Sequence, residues 1–231
     1  MIVDGHLAAM ISTATTWILP IIFAVTFHEA AHGFVALRFG DDTALRAGRV
    51  TFNPLKHVDP VGTILLPAMM ILTRMPFLFG YAKPVPVNFG RLKPLRLGMV
   101  MVALAGPATN VLLAIISALL AYGLPLLPES GVVWARDNLQ HSIILNVVLC
   151  VFNLLPLPPL DGGRVAVGLL PRALAMPLAR LEPYGMMILM GLFLLSYLGP
   201  QLGLGFSLLG WLIGGPADLL YALVLKITGH G

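Results

Sequence analysis

The chain has 231 residues, 58% of them hydrophobic and 10% charged, with a mean hydropathy of +0.91 and a net charge of +4. Soluble domains carry about 25% charged residues, so this composition describes a polytopic membrane protein and excludes a soluble enzyme. In such a protein a basic excess marks loops on the cytoplasmic face, not nucleic-acid binding, and the single cysteine, Cys150, excludes an internal disulfide.

Residues 1–13 read as a short mixed leader, with His6 a terminal exposed residue. The first span is expected from about Thr15 to Phe39, stopping at Gly40-Asp41-Asp42. No cleavable signal is expected: no Lys or Arg precedes Arg38, and cleavage would discard a motif inside this span. That motif is His28-Glu29-Ala30-Ala31-His32. Histidines four apart share one helix face and can grip one metal ion, and the adjacent Glu29 can take a proton from water. Ionisable groups at membrane depth are costly, which marks the motif as functional rather than incidental.

Residues 43–57 alternate in character and carry turn residues, so a short strand is expected at Arg49–Phe52, closed by Asn53-Pro54. Val85, Val87 and Phe89 suggest a second, proline-interrupted edge strand, and the two could pair in a small sheet at the membrane surface. Between them Val61–Tyr81 is apolar but broken by Pro67, Arg74, Pro76 and Gly80. If it re-enters the bilayer instead of crossing, the basic residues from Arg38 to Lys226 fall on one side, Arg136 on the other and Arg74 within the segment. The positive-inside rule therefore favours re-entry, with the N-terminus outside.

A second span is expected at Leu97–Tyr122, an external loop at 123–137, and a third span at about Leu139–Leu155. Residues 164–182 place arginines at 164, 172 and 180 among apolar residues, as in a surface amphipathic helix or an ordinary basic loop. Two apolar runs follow, Tyr184–Leu198 and Phe206–Leu225. The whole is an all-α membrane protein: a three-span core, further helices, a re-entrant segment and a small β-sheet. It forms one domain over 1–231, with a core at about 15–165 and C-terminal helices at about 166–228.

A catalytic zinc site needs three protein ligands and an open position. Asp161 is the candidate third ligand, because it follows a proline-broken stretch and precedes two glycines that free the backbone to turn inward. An Asp-Gly turn reads equally well. Asn110 and Asn153 could hold an oxyanion or an extended substrate, or bond between helices. His57 could be an outer-shell ligand or a polar loop residue, and His141 and His230 are expected to be solvated.

The pair His28-Glu29-Ala30-Ala31-His32 and Asn153-Leu154-Leu155-Pro156-Leu157-Pro158-Pro159-Leu160-Asp161-Gly162 resembles the two signature motifs of the site-2 protease family of intramembrane zinc metalloproteases. Gly106-Pro107-Ala108-Thr109-Asn110 resembles that family's motif on the intervening helix. Arg49-Val50-Thr51-Phe52-Asn53-Pro54, with His57, Asp59, Pro60 and Gly62, resembles its compact bacterial branch. The resemblance implies one zinc per chain held by His28, His32 and Asp161, with Glu29 as general base. It implies cleavage in or near the transmembrane segment of a single-span substrate, in many relatives one already trimmed by another protease. It implies a bacterial cytoplasmic membrane, and the gap after the first span leaves no room for the PDZ domain many relatives carry. The rival class is a divalent-metal transporter using the same ligands, which usually shows repeated halves; none is visible here. A proteolytically dead scaffold is disfavoured because Glu29 and all three proposed ligands are present.

Overall fold

The computed structural model describes residues 2–72, 80–201, 203 and 207–231. Its helices are α1 (Ile2–Arg38), α2 (Thr43–Arg46), α3 (Leu66–Leu72), α4 (Leu95–Leu120), α5 (Glu129–Asn153), α6 (Asp161–Leu169), α7 (Arg172–Ala179), α8 (Gly185–Gln201) and α9 (Leu208–Ile227). Among the described residues, four stretches are long and apolar enough to cross a membrane: Thr15–Arg38, Leu95–Leu126, Arg172–Gly199 and Leu208–Ile227. The polytopic all-α class holds.

α4 is the central post, packed on α1, α5, α6 and α9. Its buried positions are mostly small, including Gly98, Ala103, Gly106, Ala114, Ser117 and Ala118, which lets neighbouring backbones come close. α1 answers with Ala24, Ala30 and Ala36, all fully buried. One core cluster joins α4, α5 and α9 through Ala114, Ala118, Ile143, Val147, Ala217 and Val224.

α1 starts at Ile2, so the expected leader is helical. Pro20 lies inside it, lacks an N–H, and so leaves the Thr16 carbonyl without its usual helical donor. The His141 ring takes that place at 3.1 Å and stacks on Trp17 at 3.9 Å, so this histidine is a helix-to-helix contact and not a solvated residue.

The expected β-sheet is absent: no residue among those described is in a strand. The donors a ladder would need are engaged otherwise. Pro84 and Pro86 have none, the Val85 amide donates to Glu29, and the Asn88 amide donates to Asp41. Residues 80–88 instead form an extended strap. The Asp59 carboxylate caps a π-helical turn at Pro60–Leu65 that continues into α3. Residues 73–79, including Arg74 and Pro76, lie outside the described residues. On either side of them the Tyr81 amide donates to the Gly62 carbonyl at 3.1 Å and the Lys83 amide to His57 at 3.0 Å. The chain therefore returns to the point it left.

Two further expectations change. The basic stretch 164–182 is not one helix but α6 and α7, broken at Leu170-Pro171. α5 is not among the four membrane-length apolar stretches: its first turns carry Glu129, Arg136 and Asp137, and the rest is short and holds Gln140, His141, Ser142, Asn146 and Asn153. Lys226 also moves. The Tyr122 hydroxyl, just past α4, donates to the Thr228 carbonyl at 2.8 Å, while Phe39 at the end of α1 accepts from Lys93 before α4. Lys226 thus sits at the end of the bundle opposite Arg38.

Candidate metal centre and active site

His28 and His32 fall one turn apart on α1, ten and six residues before its end, or roughly 15 and 9 Å along the axis. Their Nε2 atoms are 3.0 Å apart. Asp161, the first residue of α6, brings Oδ2 to 3.2 Å from His28 Nε2 and 3.4 Å from His32 Nε2. Ligand bonds of about 2.0–2.1 Å in a tetrahedron require ligand atoms about 3.3–3.4 Å apart, so this triangle is close to the size of one face of a zinc polyhedron.

Hydrogen bonding supports the fit. His32 Nδ1 is 2.7 Å from the Val102 carbonyl, which can only accept, so Nδ1 carries the proton. His28 Nδ1 lies 2.6 Å from Asn110 Oδ1. Both Nε2 atoms thus present lone pairs toward a buried Asp161 Oδ2 that has no hydrogen-bond donor. Two lone pairs and an anionic oxygen facing one point call for a cation. Among the described residues, no other group of three His, Cys, Asp or Glu side chains is placed to hold a metal.

Glycine makes the convergence possible. A Cβ on Gly106 would lie 2.5 Å from His28 Nε2, so α4 passes this close to the histidines because no side chain stands there. A Cβ on Gly162 would lie 2.1 Å from the Leu154 carbonyl oxygen, where the chain leaving α5 folds under the start of α6.

Glu29 stands beside this triangle. Its Oε2 accepts the Val85 amide at 2.7 Å. The strap bearing Val85 is pinned by the buried Arg49 guanidinium, which donates to the Lys83 carbonyl at 2.6 Å, and by the Lys83 bond to His57. His57 itself is buried and its Nε2 donates to the Thr51 carbonyl at 2.9 Å, so it supports the loop and does not enter the ligand triangle. Asn153 donates within its own helix to Leu149 at 3.0 Å. Asn110 is fully buried against His28.

Asn146 escaped the sequence reading. It accepts Asn110 Nδ2 at 2.8 Å and donates to the Ser142 carbonyl at 2.9 Å. The signal was there: Ser142, Asn146 and Asn153 are polar positions in an apolar run at helical spacing. Gly106 was noticed only as part of a motif.

Two histidines with a glutamate beside the first, joined by a distant aspartate among apolar helices, form a group that could hold a metal, as a membrane-embedded zinc metalloprotease requires. The chain belongs to peptidase family M50, the site-2 protease family. The model for that family matches residues 131–197. The chain is 40% identical over 195 residues to YwhC, a candidate zinc metalloprotease of Bacillus subtilis, covering 82% of this chain and 85% of that protein. It is 31% identical over 191 residues to Rip2 of Mycobacterium tuberculosis H37Rv, likewise a candidate zinc metalloprotease, covering 83% and 70%. With the Rip2 of Mycolicibacterium smegmatis the match is 33% over 144 residues, about half of that protein. No solved structure matches the chain.

Proposed function

We propose that this protein is an intramembrane endopeptidase that cuts peptide bonds in or near the transmembrane segment of single-span membrane proteins, some already trimmed by another protease. The observation that carries the reading is the triangle of His28, His32 and Asp161 at 3.0–3.4 Å with Glu29 beside it. These three side chains would hold one zinc. When bound, that ion supplies Lewis acidity, lowering the pKa of water toward ~7 and polarising the scissile carbonyl.

The remaining chemistry belongs to the chain. With Oε2 of Glu29 held by the Val85 amide, Oε1 has no hydrogen-bond partner among the described residues and can take a proton from the attacking water and return it to the leaving amine. Packing around the triangle leaves His28 and His32 each 8% exposed, which limits competing water. The one unit spans 1–231, with α1, α4 and α5 as its catalytic core. The ends of the 62–81 segment meet, which supports re-entry, and the basic loops at 38–56 and 83–96 support an N-terminus outside, in a bacterial inner membrane.

Glu29→Gln tests the reading. It keeps the size of the side chain and an acceptor for Val85, but not the base. Expected are near-normal zinc content and a fall in cleavage of a single-span substrate in liposomes by two to four orders of magnitude, roughly the worth of a general base. Undiminished cleavage by the zinc-loaded variant would refute the assignment. A metal transporter needs no general base; it would show metal flux through liposomes and no Glu29-dependent cleavage.

A further inference from the structure

We propose that Asn146 and Asn110 form a one-way hydrogen-bond relay that fixes the tautomer of His28. Asn146 is thereby a positioning residue for the metal site, although it touches neither metal nor substrate. This rests on His28 being a zinc ligand.

The relay runs through three helices. His28 Nδ1 on α1 meets Asn110 Oδ1 on α4 at 2.6 Å, Asn110 Nδ2 meets Asn146 Oδ1 on α5 at 2.8 Å, and Asn146 Nδ2 meets the Ser142 carbonyl at 2.9 Å. An amide side chain can be turned end for end, so each link alone is ambiguous. The last link is not. A backbone carbonyl only accepts, so Asn146 must present its NH2 to Ser142 and its oxygen to Asn110. Asn110 must then give its NH2 to Asn146 and its oxygen to His28. His28 must therefore carry its proton on Nδ1, with the Nε2 lone pair facing His32 and Asp161.

Burial gives the chain of constraints its force. Asn110 is 0% and Asn146 1% exposed, so bulk water is not at hand to satisfy a flipped amide. The reversed relay would set two oxygens 2.9 Å apart at Ser142. It would also put the proton on His28 Nε2, 3.2 Å from Asp161 Oδ2. The two ligands would then satisfy each other and oppose metal entry. The relay thus selects a metal-ready site over a self-paired one before any ion arrives.

The test uses the full-length protein in detergent. Nitrogen NMR of histidine-labelled, zinc-free protein, with His28 assigned by loss of its signals in His28→Asn, should show Nδ1 protonated and Nε2 bare. A proton on Nε2 in the zinc-free protein would overturn the relay. Added zinc should shift His28 Nε2; an unmoved Nε2 would sink the ligand reading instead. Zinc affinity, measured by chelator competition, should fall about 10–100-fold in Asn146→Leu, the usual effect of losing an outer-shell partner. In an Asn110→Leu background the same change should cost nothing more, because the relay is already cut. Wild-type affinity in Asn146→Leu, or additive losses in the double variant, would refute the proposal.

Discussion

Replacing Gly106 by Ala should separate helix stability from metal binding, because the two respond with opposite sign. The added Cβ would lie 2.5 Å from His28 Nε2 and 2.6 Å from His32 Nε2, where ordinary contact begins at 3.4 Å. Both ligand atoms would have to retreat by about 0.8–0.9 Å, against a tolerance of about 0.2 Å for metal–ligand distances. Neither side has room to give. α4 is wedged among α1, α5, α6 and α9, and the two rings are tethered at Nδ1 to Asn110 and Val102. Alanine is meanwhile the better helix former by about 0.5–1 kcal/mol. Gly106→Ala should therefore lose zinc affinity by at least ~100-fold, and cleavage with it, while the purified protein stays helical and soluble in detergent. Metal analysis alongside circular dichroism on one sample reads both effects. A Gly106→Ala protein that retained one zinc at wild-type affinity would show that the site can yield, and that the close approach of α4 does not constrain it.

Other outcomes follow from the loops around the site. Burial disfavours the ionised Asp41 carboxyl, but the Thr43 hydroxyl, the Asn88 and Thr43 amides and the Arg91 guanidinium outweigh it and hold its pKa below the ordinary value. Its contribution to stability is then complete above about pH 4, the unfolded value, and is lost as pH falls through the lower folded one. Asp41→Asn should cost about 1–3 kcal/mol at neutral pH, narrowing below pH 4; thermal unfolding that shows the same gap at both pH values would contradict this. Val85→Pro removes the amide that holds Glu29, whereas Val85→Ala keeps it. The first should lower kcat about 10–100-fold at unchanged zinc content and the second little, and a KM effect alone would assign the strap to substrate docking. Single cysteines replacing Lys56 and Arg91, in a Cys150→Ser background, should label from the same side of the membrane; opposite labelling would rule out re-entry of 61–81.

What could be read from the sequence was whatever is written in local spacing. The helical register of His28 and His32, the apolar spans, and the glycines after Asp161 all depend on residues within a few positions of one another. The failures came where long-range partners decide. Val85 and Val87 alternate like a strand, but a ladder requires free amides, and side chains 47 and 56 residues away had taken those of Asn88 and Val85. His141 looked solvated because nothing nearby shows that Pro20 leaves a carbonyl for it on another helix. Lys226 was counted with the other basic residues, since only the Tyr122–Thr228 contact shows at which end of the bundle the last helix finishes. Asn110 was open between a substrate contact and a bond between helices, and only the 2.6 Å approach to His28 on another helix shows which partner it has.

The position of Asp161 at the head of α6 has a mechanical consequence. α6 leans chiefly on α4 and α7, and it meets α1 through little besides the ligand triangle. His32 and Asp161 stand 129 residues apart in the chain, yet their ligand atoms are 3.4 Å from one another. An ion shared between them would act as a rivet, closing a loop as a cross-link would, and for loops near this length a permanent closure is worth about 4–5 kcal/mol of chain entropy. Without the ion, α6 and α1 would still be held together through α4, on which both pack. The ion would add a direct tie between them, so the same binding event that arms the site would also stiffen it.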